Sequence, residues 1–72
     1  MYARTFHKAQ QTRRFIITSL EANGWEVRDE QDAQVLRRVQ YTDWHRVERA
    51  VLMMSLEVSA LEGNGWRESQ PS

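Results

Sequence analysis

The residue types able to do acid–base chemistry gather in one short stretch, YTDWHRVERA from Tyr41 to Ala50, which holds Asp43, His45 and Glu48. Histidine titrates near neutrality and a neighbouring carboxylate can orient its ring, so the set has the composition of a proton-transfer site. Its spacing works against that use. On a helix His45 and Glu48 share a face while Asp43 stands at the N-terminal entrance, and no adjacent serine or cysteine supplies a nucleophile. A helix start accounts for the same residues, with Asp43 as the cap, Trp44 turned into a core and surface ion pairs beyond it. No catalytic residue is assigned, and the chain is not expected to be an enzyme.

Metal and cofactor chemistry lack their ligands. His7 and His45 lie in separate segments without a second ligand at helical spacing, and cysteine is absent, which removes thiolate zinc sites and disulfides together. The glycines are Gly24, Gly63 and Gly65, all at expected helix ends, so none forms a phosphate-cradling loop. Neither a cofactor nor a metal is expected.

What remains is charge. Ten basic and ten acidic side chains cancel, but in blocks. Arg4, Lys8, Arg13 and Arg14 precede the first acid, Glu21; then come Glu26, Asp29, Glu30 and Asp32 with Arg28 alone among them; then Arg37, Arg38, Arg46 and Arg49. Such blocks make a bipolar surface that selects specific partners, and a neutral total argues against a dedicated polyanion binder. Arg4, Lys8, Arg13, Arg14, Arg37, Arg38, Arg46 and Arg49 are therefore expected to meet an unidentified protein partner. The second expectation is a small nucleic-acid binder using Arg4, Lys8, Arg13, Arg14, Arg37 and Arg38. The three tryptophans do not interleave with these arginines as a base-stacking platform requires.

The elements that must position these residues come from a chain of 72 residues. A single domain of that size buries only about 60% of the surface it exposes when unfolded. Without disulfides it depends on packing quality or self-association. Residues 1–66 are read as the domain and 67–72 as a polar flexible tail. The longest apolar run, AVLMM at Ala50 to Met54, is far below the roughly 18 residues of a membrane span. No secretory signal is evident, and a cytoplasmic protein is expected.

From Ala3 to Asn23, Phe6, Ala9, Ile16 and Leu20 keep the spacing of an amphipathic helix, although Arg13 interrupts the stripe and FIIT at Phe15 to Thr18 has strand character. Trp25 to Tyr41 predicts two strands, WEVR and QVLRRVQY, around the acidic turn DEQDA. The competing reading caps a helix with Asp32 and stacks Val35, Leu36 and Val39 on one face. Thr42 or Asp43 starts a helix that runs to about Asn64, with Trp44, Val47, Val51, Met54, Val58 and Leu61 as its core stripe. Ala50, Leu52, Met53, Leu56 and Ala60 lie off that stripe, so the helix is apolar on nearly two faces. A homodimer is expected, pairing either helices, with Leu52, Met53, Leu56 and Ala60 at the interface, or edge strands into a four-stranded sheet. The fold class expected is α+β, a small helix, a β-hairpin and a long helix (α-β-β-α), with an all-α three-helix bundle as the alternative.

One phrase occurs twice, LEANGW at Leu20 to Trp25 and LEGNGW at Leu61 to Trp66. Placing Gly24 or Gly65 in the left-handed position after a helix makes Leu20 with Trp25, and Leu61 with Trp66, the apolar pair that accompanies a Schellman ending. Both copies are read as helix stops. SLEANGWEVR, Ser19 to Arg28, resembles the first helix-to-strand junction of the HicA family of small messenger-RNA-interfering toxins, which implies helix followed by strand. The family's Gly-Ser-His run with its catalytic histidine has no counterpart, because DEQDAQ follows Arg28; the resemblance therefore implies no ribonuclease activity. Small, cysteine-free chains with segregated charge are common among phage and mobile-element inhibitors of host complexes, the anti-CRISPR type included. By that analogy of kind, a non-catalytic protein-binding module is expected.

Overall fold

The computed structural model describes residues 2–21 and 23–69. They form β1 (Tyr2–Lys8), β2 (Gln11–Ser19), β3 (Trp25–Gln31), β4 (Gln34–Tyr41), α1 (Trp44–Gly63) and β5 (Arg67–Glu68). The strands make one sheet ordered β4-β3-β2-β1-β5, antiparallel at every junction. Neither the expected α-β-β-α layout nor the three-helix bundle is the fold.

The stretch expected as a helix from Ala3 holds β1 and β2 instead. Ser19 to Arg28 likewise runs from strand to strand, not from helix to strand as the HicA resemblance implies. The physical reason lies in FIIT. β-Branched side chains lose χ1 freedom on a helix and pack well on a pleated surface. Phe15 and Ile17 join the core under α1, and Ile16, one residue out of phase, belongs to the opposite face. All three are buried, and burial on both faces erases the alternation by which a strand is usually read.

The chain reverses between β1 and β2 at Ala9 and Gln10, with Ala9 at φ 53° and neither glycine nor proline to mark the turn. The β3–β4 turn is also two residues, Asp32 and Ala33, at φ 51° and 68°, the handedness that matches strand twist in tight hairpins. Asp32 ties this turn to β2. Its N–H donates to the Thr12 carbonyl at 2.9 Å, and its Oδ1 accepts from the Thr12 N–H at 2.9 Å.

α1 lies across one sheet face. Phe6, Phe15, Ile17 and Val27 meet Val47, Met54 and Val58 there, and the Phe6 and Phe15 rings pack edge to face with centroids 6.0 Å apart. Burial of each such side chain contributes about 1.5–3 kcal/mol relative to exposure. Trp44, expected in the core, is half exposed and packs against Trp25, ring centroids 5.0 Å apart.

Asp43 caps α1, its Oδ1 accepting from the His45 N–H at 3.0 Å. At the other end the Trp66 N–H donates to the Leu61 carbonyl at 3.0 Å and the Gly65 N–H to the Glu62 carbonyl at 3.2 Å, with Gly65 at φ 93°. That is the Schellman pattern. The other copy of the phrase is no helix stop: Leu20 to Gly24 connects β2 to β3, and the Leu20 N–H donates to the Gly24 carbonyl at 2.9 Å. Gly24 stands at φ 135°, and a Cβ there would lie 2.7 Å from the Tyr41 carbonyl oxygen. Arg67–Glu68, in the stretch expected as a tail, pair with Phe6 and His7 of β1. Residues 70–72 of that stretch lie outside the described residues.

Candidate partner-binding cleft

Register sorts the arginines onto two faces of the sheet. Arg4, Arg13 and Arg37 share the α1 side with Phe15, Phe6 and Asp29, their cross-strand neighbours. Arg4 grips Glu68 with two bonds, Nε to Oε2 at 2.8 Å and Nη2 to Oε1 at 2.6 Å. This pair holds the Glu68 carboxyl below its ordinary range and the Arg4 guanidinium above its own. Arg13 is more deeply placed. Its Nη2 reaches both oxygens of buried Asp29, at 3.0 and 2.9 Å, and Glu57 Oε2 at 3.3 Å, while the guanidinium lies 5.2 Å from the Phe15 ring centroid. One side chain thus joins β2, β3 and α1.

Arg14, Arg28 and Arg38 occupy the opposite face, in rows with Glu26 and Glu30. Arg28 Nε lies 2.8 Å from Glu30 Oε2 and its Nη1 3.6 Å from Glu26 Oε1. Arg14 reaches Glu30 and Arg38 reaches Glu26, each at 3.7 Å. The three cations and two carboxylates form one ladder across β2, β3 and β4, close to neutral within itself.

Arg37, Arg46 and Arg49 differ from all of these. Among the described residues none has a carboxylate oxygen within 4.0 Å. With Tyr41, Ala50, Met53 and Glu57 they line a cleft of about 470 Å³ between β4 and α1. Glu57, the acid in this lining, is already held by Arg13. Arg46 stands in the first turn of α1, where the macrodipole is positive and a cation costs about 0.3–1 kcal/mol. Met53 carries the cleft toward the outer face of the helix, where Leu52 and Leu56 are each 67% exposed and Ala60 is exposed beyond them.

Of the eight basic residues singled out in the sequence, the structure therefore brings together Arg37, Arg46 and Arg49. Arg4 and Arg13 hold internal carboxylates, Arg14 and Arg38 face away, and Lys8 is exposed at the β1–β2 turn. Tyr41 and Glu57 were not foreseen as part of the site. Half of the cleft could have been: Arg46, Ala50, Met53 and Glu57 follow the three-to-four spacing of one helix flank. The acid–base candidates are dispersed. Asp43 Oδ1 serves the helix cap, and His45, 91% exposed, has its Nδ1 3.7 Å from Glu48 Oε1. His7 Nδ1 lies 3.4 Å from Thr12 Oγ1. Among the described residues no group of three or more His, Cys, Asp or Glu could hold a metal ion, and no helix is long and apolar enough to cross a membrane. A second hollow of about 370 Å³, lined by Tyr2, Ile17, Ser19, Trp25, Trp44 and Val51, shares no residue with the arginine cleft.

No protein-family model, curated protein or solved structure matches the chain.

Proposed function

We propose that this chain is a non-catalytic protein-binding domain that receives an acidic partner in the cleft between β4 and α1. The observation that carries this reading is the trio Arg37, Arg46 and Arg49, three guanidinium groups around one concavity whose acid, Glu57, is bound to Arg13. A guanidinium presents a planar fork that fits a carboxylate with two bonds. Met53 adds apolar surface beside that charge, a combination used at the centre of protein interfaces. A nucleic acid would need charges along one surface or an aromatic platform. Arg14 and Arg38 face the other way, and Trp25 and Trp44 line a different hollow. A cytoplasmic setting is part of the proposal, in keeping with a chain that has no cysteine.

Titration with polyglutamate, duplex DNA and single-stranded nucleic acid, at low and moderate salt, tests it. Polyglutamate is expected to bind, more weakly as salt rises, and to lose all affinity for a triple variant, Arg37→Glu with Arg46→Glu and Arg49→Glu, that keeps its circular dichroism. Binding of nucleic acid with a steep salt dependence, and none of polyglutamate, would assign the domain to nucleic acid instead.

A second copy of the chain is the occupant proposed for the outer face of α1. Leu52 and Leu56 lie one turn apart on that face, so helices crossing antiparallel about a two-fold axis that passes between them bring Leu52 of one copy to Leu56 of the other. A monomer in sedimentation at micromolar concentration would remove this dimer.

A further inference from the structure

The arginine cleft runs beside an unpaired sheet edge. Among the described residues, β4 has β3 on one side and no strand on the other. The register shifts between Asp29 and Glu30, leaving Leu36 as an extra residue near the start of β4, and pairing continues regularly from Arg37 to Tyr41. That regular stretch is roughly 17 Å of strand at about 3.4 Å per residue, and it borders the cleft at both ends, through Arg37 and Tyr41.

We propose that the acidic partner enters as an extended strand, hydrogen-bonded along Arg37–Tyr41, a step that rests on the acidic-partner reading above. An exposed edge offers a row of backbone donors and acceptors, which is how a sheet takes up an extended peptide. Side chains of an added strand alternate between faces. Those on the α1 side fall beside Arg37, Val39 and Tyr41, under the wall formed by Arg46, Arg49 and Met53. The segment that fits therefore carries carboxylates at alternate positions, with an apolar side chain in the same row for Met53 and Ala50.

Charge argues against a second copy of β4 as the occupant. Two such edges joined about an axis perpendicular to the sheet keep both helices on one side and set both trios of arginines in one groove. Like charges facing across strands destabilise the pair. Bulges and edge cations are devices by which sheets resist indiscriminate pairing. Here the same devices admit an acidic strand while rejecting a basic one.

The test uses the full chain and a short alternating peptide, Thr-Glu-Thr-Val-Thr-Glu-Thr, whose glutamates and valine share one row, with two further versions N-methylated on one or the other alternate set of amides. A strand added to β4 turns one set of amides toward the edge and the other toward solvent. One methylated version is expected to lose about tenfold or more in affinity, through lost backbone hydrogen bonds, and the other to bind like the parent. Backbone N–H groups within Arg37–Tyr41 are expected to exchange more slowly when the peptide is present. Methylated versions that bind alike, whether well or poorly, overturn strand addition; if polyglutamate still binds and the triple charge variant still does not, the acidic-partner reading stands. No binding of either the alternating peptide or polyglutamate overturns both.

Discussion

Arg13 and Arg37 approach one carboxylate from opposite sides and end in different states. Arg37 stands directly across from Asp29 in the β3–β4 register, yet makes no ion pair with it. Arg13, on β2 and diagonal to Asp29, takes both of its oxygens and reaches Glu57 as well. Burial separates them. The Arg13 side chain is 15% exposed, beneath α1 and over the Phe15 ring, where a charge is tolerated only when it is paired. Arg37 lies at the sheet edge in water and costs little unpaired. An arginine that holds the fold and one left unpaired thus differ by two strand positions and the reach of α1.

The largest expected effect tests the first half of that contrast. Arg13→Ala leaves Asp29 covered and unpartnered and is expected to lower stability by about 2–3 kcal/mol in urea unfolding at neutral pH, whereas Arg37→Ala stays within about 0.5 kcal/mol of the parent. Equal losses at the two sites would erase the distinction. A smaller change of opposite sign is expected in the cleft: Arg46→Glu replaces a cation with an anion in the first turn of α1 and raises stability by about 0.3–1 kcal/mol, while weakening polyglutamate binding. A variant that is both less stable and a poorer binder would make Arg46 a structural residue. The smallest effect belongs to Arg4 and Glu68, paired but at the surface, with Glu68 37% exposed. Its lowered carboxyl value means that the pair stabilises the fold above the ordinary carboxylate range and that this contribution is lost as pH falls through the lowered value. The gap in melting temperature between the parent and Glu68→Gln is expected to be widest near neutrality and to close in acid. A gap independent of pH would separate β5 docking from this ion pair.

How far the chain can be read in advance follows the same local physics. From Trp25 onward most signals point to the observed elements: Val27, Val39 and Tyr41 alternate, Asp43 caps, and Gly65 ends α1 after Leu61, although Asp32 with Val35, Leu36 and Val39 also fits a capped helix. Before Trp25 they conflict. The Ala9–Gln10 turn has no turn-forming residue type at its positive-φ position, and with Ile16 and Ile17 both buried the period of two disappears, leaving Phe6, Ile16 and Leu20 to match helical spacing by coincidence. Arg13 on that apolar stripe was the sign of a half-buried ion pair. The twin LExNGW phrases specify a left-handed glycine between a leucine and a tryptophan without specifying what precedes it, so one copy ends a strand and the other a helix. In the cleft, the α1 flank follows from spacing within one element, while the arrival of Arg37 depends on strand order, which no local pattern encodes.

The order of elements along the chain also has a consequence for synthesis. β1 to β4 are complete before α1 begins, so in a chain emerging N-terminus first the sheet can pair strand by strand while Phe6, Phe15, Ile17 and Val27 still lack their cover. Those side chains are then an apolar surface open to chaperones and to other nascent chains. The arrival of α1 ends that exposure and raises the second wall of the arginine cleft in the same event. On the acidic-partner proposal, maturation and competence to bind coincide, and a polypeptide stalled before Trp44 lacks the wall of Arg46 and Arg49 that the proposed partner requires.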